Sequence, residues 1–307
     1  MNKFIKNIIL FSITCLILLT LFLKFYGSYI DYFYEKFTTP KATSLIIGGS
    51  RSLQGIQPKI IDDYFNNNEF QLPMFNFSFT IAQSRIGPLY RKSILKKLNN
   101  KSKNGLFIIS ITPWMLSSHK ANDNNAGEFK EADAPPNNMN YMSMDPNFEY
   151  LIKNLDYFHF RGIFRKSSKL HENGWLEENN LPKDSLVFRN WKKNQVNILK
   201  GFVKDYSVSE YRKQSLDTLI KDLKKHGSVY LVRTPVDKDI LELENNYYPE
   251  FDNFIKKTAQ DNNINYLNYN ELKSKKFKTY DGHHLDKYGG EKFTNLLCDS
   301  ISKLNKI

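Results

Sequence analysis

Five short apolar runs, each closed by glycine, proline or a polar residue, restrict the fold of this chain more than any other feature. They occupy residues 44–49, 74–79, 106–112, 228–235 and 264–269. Most are close to continuously apolar, as strands covered on both faces of a sheet must be. Between them lie stretches with helical length and spacing at 58–66, 87–98, 209–225 and 245–262, and a last one at 286–304. Strands alternating with helices imply an α/β fold: a doubly wound parallel sheet of about five strands, with right-handed crossovers. Ligands of such sheets bind beyond the carboxyl ends of the strands. That edge should carry Ser50, the turn after Phe79, Pro113-Trp114, Thr234-Pro235 and the loop around Asp281.

The alternation is interrupted once and preceded by something different. An insertion of about 117–208 separates the third strand from the fourth. Its first part, 117–145, is rich in Asn, Ala, Pro and Met and reads as a functional loop or lid. Residues 147–206 mix aromatic and basic groups and read as helices over one edge of the sheet. At the amino end, Lys3 and Lys6 precede an apolar run over 8–23, closed by Lys24. Its length is near the lower limit for a bilayer span, and no small-residue cleavage site follows it. The expected organisation is therefore an uncleaved membrane anchor at 1–24, a juxtamembrane helix or linker at 25–43, and a body at 44–307. Tyr26, Tyr29 and Tyr32 would sit at the interface. A single-pass protein with a cytoplasmic amino terminus and an extracytoplasmic body is expected.

Composition excludes several classes. The net charge of +12 arises from 44 Lys and Arg against 32 Asp and Glu. These cations are dispersed among Asn without a basic block, which describes a solvated surface and argues against a nucleic-acid partner. Cys15 lies inside the apolar run and Cys298 on the apolar face of the last helix, so neither a disulfide framework nor a metal site is expected. Gly48-Gly49-Ser50-Arg51 matches neither phosphate-binding glycine signature, and no cofactor is implied.

The chemistry-bearing residues lie at the two ends of the body. Gly48-Gly49 at the end of the first strand permits a tight turn that holds Ser50 forward. A serine hydroxyl is a poor nucleophile until a base takes its proton, and imidazole has a suitable pKa. The imidazole in turn needs a partner on its other nitrogen to fix tautomer and direction. Asp281-x-x-His284, one turn before the last helix, offers both groups in one short loop, whereas a helix-capping Asp281 beside two surface histidines is the competing reading.

Together, strand-Gly-Gly-Ser and Asp-x-x-His-Leu-x-x-x-Gly resemble the SGNH (GDSL-like) hydrolase superfamily over residues 44–304. The resemblance implies a flavodoxin-like sheet, with Ser50 as nucleophile, His284 as base and Asp281 as its orienting acid. Gly-Gly-Ser-Arg-Ser-Leu-Gln-Gly-Ile-Gln-Pro is most similar to the membrane-anchored branch, which includes D-alanine-transfer and alginate-acetylation proteins. It implies an esterase or O-acyltransferase acting on acyl esters of cell-surface glycans, with a membrane-bound acyl-donor protein as a further partner. The family's oxyanion glycine and asparagine are missing. Ile81 and Trp114 fall near those positions, with Gln83, Ser84 and Thr112 as weaker candidates. Trp114, Trp175 and Trp191 are candidates for stacking on sugar rings, or for packing. The missing donors also support an alternative: a catalytically degenerate scaffold or polymer-binding protein of an envelope modification complex.

Overall fold

The computed structural model describes residues 2–66, 69–271 and 277–305. It begins with one long helix, α1 (Asn2–Ile30). The body then runs β1 (Ser44–Gly48), α2 (Ser50–Gly55), α3 (Pro58–Tyr64), β2 (Met74–Asn76), α4 (Pro88–Lys97) and β3 (Gly105–Ser110). Within the insertion come β4 (Ser117–His119), α5 (Phe148–Lys153), α6 (Gly162–Arg165), β5 (Ser168–Leu170), β6 (Leu176–Glu178), α7 (Ser185–Asp205) and β7 (Tyr206–Val208). The chain closes with α8 (Glu210–Lys224), β8 (Gly227–Arg233), α9 (Lys238–Tyr247), α10 (Phe251–Asp261), β9 (Asn265–Asn268) and α11 (Lys287–Asn305).

The expected sheet is present. Five parallel strands lie in the order β2-β1-β3-β8-β9, the flavodoxin-like order, in which the direction of strand addition across the sheet reverses at β1 and β3. Side chains alternate between the faces with the strand period of two. Leu45, Ile47, Phe107, Ile109 and Leu231 pack with Ile94, Leu216, Ile220 and Ile255 on one side. On the other, Ile46, Ile108 and Val232 meet Ile61, Phe293, Leu297 and Cys298. This double burial is why the strands read as near-continuous apolar runs.

Several boundaries differ from expectation for identifiable reasons. The stretch 245–262 is two helices, because Pro249 lacks an N–H and biases Tyr248 away from helical geometry. β2 is short, yet the chain follows β1 beyond it, with the N–H of Phe77 donating to Ile46 O (2.8 Å) and that of Phe79 to Gly48 O (3.1 Å). The insertion is less helical than expected. It contains an antiparallel β4–β7 pair and a β5–β6 hairpin, and its dominant helix is the 21-residue α7. Residues 25–43, expected as a juxtamembrane helix or linker, complete α1 and then form a 3₁₀ turn over Tyr34–Phe37. Ile30, Phe33 and Phe37 are buried in the core with Phe77, Phe79 and Tyr150, so this stretch is part of the body. Asp31 anchors it, accepting from the N–H groups of Phe33 (2.6 Å) and Tyr34 (2.7 Å) and from the Tyr150 hydroxyl (3.0 Å).

α1 is long and apolar enough to cross a bilayer. Phe4, Phe11, Leu18 and other large side chains along it are exposed, whereas Leu23, Gly27 and Ile30 are buried against the body.

Candidate active site

Ser50 is the first residue of α2, directly beyond the carboxyl end of β1 and beside the sheet's reversal point. The close approach that requires glycine is at Gly48. A Cβ there would lie 2.8 Å from the carbonyl oxygen of Ser110 on the neighbouring strand. Gly49, by contrast, has an ordinary extended backbone and room for a side chain, so the tight glycine turn expected of both residues is not what presents Ser50.

The loop after β9 brings its partners to the serine. His284 Nε2 lies 2.8 Å from Ser50 Oγ, and His284 Nδ1 lies 2.7 Å from Asp281 Oδ2. Asp281 Oδ1 accepts the backbone N–H groups of His283 (2.9 Å) and His284 (2.8 Å), which fixes the carboxylate relative to the imidazole. Burial by itself raises the Asp281 carboxyl pKa. The His284 charge and these hydrogen bonds outweigh it and hold the group below its ordinary value. Gly282 has a φ of +80°, the left-handed region, and a Cβ on it would meet the aliphatic stem of Lys192. Its N–H donates to Thr279 Oγ1 (3.2 Å), and its carbonyl accepts from Asp237 N (2.9 Å), which ties the loop to the β8–α9 turn. Tyr280 stacks on the His284 ring at 5.5 Å and donates its hydroxyl to Gln54 Oε1 (2.7 Å). The cap of α11 is Asp286, whose Oδ1 accepts the Gly289 N–H at 2.7 Å, so Asp281 is not the helix cap.

The two adjacent histidines have different environments. His283 is buried, with Nδ1 3.1 Å from Arg51 Nη2. Its pKa is pushed well below normal, first by burial and then by the charge of Arg51, so it stays neutral. Only His284 bridges Ser50 and a carboxylate.

The opposite wall of Ser50 is a cavity of about 50 Å³ lined by Ile81, Thr112, Trp114, Arg51 and, from α7, Leu199 and Phe202. On that measure a water needs ~10–15 Å³, so the space accepts only a few heavy atoms. Both expected oxyanion candidates are here, but they are not equivalent. The Ile81 N–H has no protein acceptor among the described residues. The Trp114 indole N–H is committed to Glu244 Oε1 at 2.8 Å, and its ring stacks on Tyr247. Trp114 is therefore corrected from donor to packing residue, and Thr112, whose buried Oγ1 has no partner, takes precedence over it. Ser84 Oγ donates to Thr80 O, and Gln83 Oε1 accepts from Thr80 Oγ1, while the buried Gln83 Nε2, like Thr112 Oγ1, has no partner among the described residues. The other tryptophans also have partners: Trp175 stacks on His171 and donates to Gln54 O (2.7 Å), and Trp191 meets the edge of Tyr280.

Beneath the cavity runs an ion network that sequence reading missed. Glu244 receives Arg51 Nη2 (2.5 Å) and Arg233 Nη2 (3.1 Å), and Arg233 Nη1 reaches Asp252 at 2.6 Å. Two cations and two carboxylates balance, as buried charges must. The only available sequence signal was a glutamate on the apolar face of α9.

Among the described residues, no cluster of three His, Cys, Asp or Glu has the arrangement to hold a metal ion. No family model matches this chain, and no curated protein does. Among solved structures, the chain is similar to Est24, a carbohydrate acetylesterase from Sinorhizobium meliloti. The likeness has a TM-score of 0.39 and 9% identity, and it covers 86% of this chain and 100% of that one.

Proposed function

We propose that the protein is a membrane-anchored serine esterase or O-acyltransferase that handles short acyl esters on cell-surface glycans. The observation that carries this reading is the continuous relay Ser50 Oγ–His284 Nε2–His284 Nδ1–Asp281, with links of 2.8 and 2.7 Å, on the ligand-binding edge of the sheet. Ser50 Oγ attacks the ester carbonyl carbon while its proton passes to His284 Nε2. Asp281 holds the imidazole in the tautomer that accepts there. Collapse of the tetrahedral intermediate expels the alkoxide, which takes the proton back from His284 and leaves an acyl-serine. Water or a sugar hydroxyl then attacks this ester, again deprotonated by His284, and Ser50 is regenerated. The N–H groups of Ser50 and Ile81 and the Thr112 hydroxyl are the donors proposed for the oxyanion.

The small cavity beside Ser50 favours an acyl group of a few heavy atoms. α1 supplies the anchor, with the amino terminus cytoplasmic and the body outside, where an acylated polymer and a membrane-bound acyl donor would be encountered. Activity on a series of nitrophenyl esters tests this reading in the full-length protein in detergent. Acetyl esters should turn over and octanoyl esters should not, and Ser50→Ala should reduce the rate on the order of 10⁶-fold. Equal rates for folded Ser50→Ala and the parent would contradict it. A second reading, a non-catalytic scaffold, is favoured by the engaged Trp114 indole and the α7 cover over the cavity. It predicts that Ser50→Ala and His284→Ala both preserve cellular function.

A further inference from the structure

The anchor helix is short of apolar length, and the body grips it early. A hydrocarbon core of ~30 Å takes about 20 helical residues at 1.5 Å each. The apolar run covers residues 8–23, so a full span must draw on residues from about Phe4 to Leu23. Yet the body packs against this same helix from Leu19 onward. Leu19 and Phe22 are partly covered by the core and Leu23 is 1% exposed. Any body residue that touches Phe22 must therefore reach the edge of the hydrocarbon.

The residue that does so is Phe160, whose ring stacks on Phe22 with centroids 6.2 Å apart. The backbone around it is clamped to the end of α1. His159 N donates to Ile30 O, and a Cβ at Gly162 would collide with the Tyr29 carbonyl, so only glycine allows this approach. Next to the clamp, Phe164 is 88% exposed, an unusual cost for a phenylalanine facing water. Phe25 on α1 is 70% exposed. Between His159 and Lys169 the chain carries Arg161, Arg165, Lys166 and Lys169 and no acid. Arg161, Arg165 and Lys166 are exposed, and none has a carboxylate partner among the described residues.

Resting on the reading of α1 as an anchor, we infer that the 159–169 segment is a second, peripheral membrane contact. Phe160 and Phe164 enter the bilayer interface, and Arg161, Arg165 and Lys166 bind the phosphates of anionic lipid headgroups. Aromatic side chains suit that depth, and cations near an anionic surface are attracted to it. The two contacts together fix the tilt of the body on the membrane, which a single helix and a loose tether would not.

Full-length protein reconstituted in vesicles tests the inference, using phosphatidylcholine with or without phosphatidylglycerol and acyl chains brominated close to the headgroup. Two single variants, Phe11→Trp in the anchor and Phe164→Trp in the segment, report contact through bromine quenching of the added tryptophan, after subtraction of the parent signal. Both should be quenched, Phe164→Trp more strongly with phosphatidylglycerol. Quenching of Phe11→Trp alone would overturn the inference and leave the anchor standing. Quenching of neither would remove the anchor reading, and the inference with it. Replacing Arg161, Arg165 and Lys166 together by Gln should abolish the phosphatidylglycerol dependence, lowering the docked-to-undocked ratio on the order of 10²-fold. An unchanged dependence would overturn the headgroup contact.

Discussion

On one side of Ser50 stands the loop 279–286, in which Asp281, Gly282 and Tyr280 are held by hydrogen bonds within the loop, to the β8–α9 turn and to Gln54. On the other side, Ile81 follows β2 and Thr112 and Trp114 follow β3, and these two strand ends are roofed by α7 from the insertion. The first wall is a local construction and delivers His284 to the serine with its second nitrogen already paired. The second depends on elements distant in sequence, and its largest residue is engaged with Glu244. The hydrogen-bonded chain Ser50–His284–Asp281 is thus preformed, while the pocket proposed for the oxyanion is narrow and supplied by few donors.

Substitutions on each wall test that contrast. The largest effect is expected from Asp281→Asn, which keeps the shape but removes the charge that orients His284. Turnover of acetyl esters should drop on the order of 10⁴-fold with KM little changed. Glu244→Leu strikes the floor instead: it strands Arg51 and Arg233 in a buried site, and denaturant unfolding should report a loss of about 3–5 kcal/mol. Thr112→Val removes a proposed oxyanion donor, and kcat should fall by about 10²–10³ with the fold intact. Undiminished kcat would leave the Ser50 and Ile81 N–H groups as the remaining donors. The smallest kinetic change is expected from His283→Asn, within about tenfold, because that ring is neutral and faces Arg51.

How far each wall was legible in the sequence follows from the same contrast. Asp281 and His284 are three residues apart, so their pairing could be read from the chain, and Ser50 stood out at the end of an apolar strand. β1, β2, β3 and β8 were legible because burial on both faces leaves an apolar signature, whereas the edge strand β9 is only partly buried and was legible from its place in the alternation. Arg51 and Glu244 are separated by 193 positions and Trp114 and Glu244 by 130, so no local pattern announces those bonds. Residues 25–43 were ambiguous for a different reason. Tyr and Phe suit both a lipid interface and a protein core, and only the partners Phe77, Phe79 and Tyr150 decide between them. The break in 245–262 was readable at Pro249, but the apolar spacing continues across it.

Acid stability refines the picture of the first wall. Since Asp281 has a folded-state pKa below its ordinary value, its contribution is present above the unfolded-state value of ~4 and is lost as pH falls through the lower, folded-state one. Thermal melts from about pH 6 down to about pH 2 should fall less steeply for Asp281→Asn than for the parent.

The central claim is that His284 activates Ser50, and it is tested most directly by intact-mass analysis of the full-length protein after exposure to a fluorophosphonate. The account predicts one adduct, located on Ser50, that disappears in Ser50→Ala, forms far more slowly in His284→Ala and persists in His283→Asn. A folded parent protein that acquires no adduct, or acquires it on another residue, would contradict it.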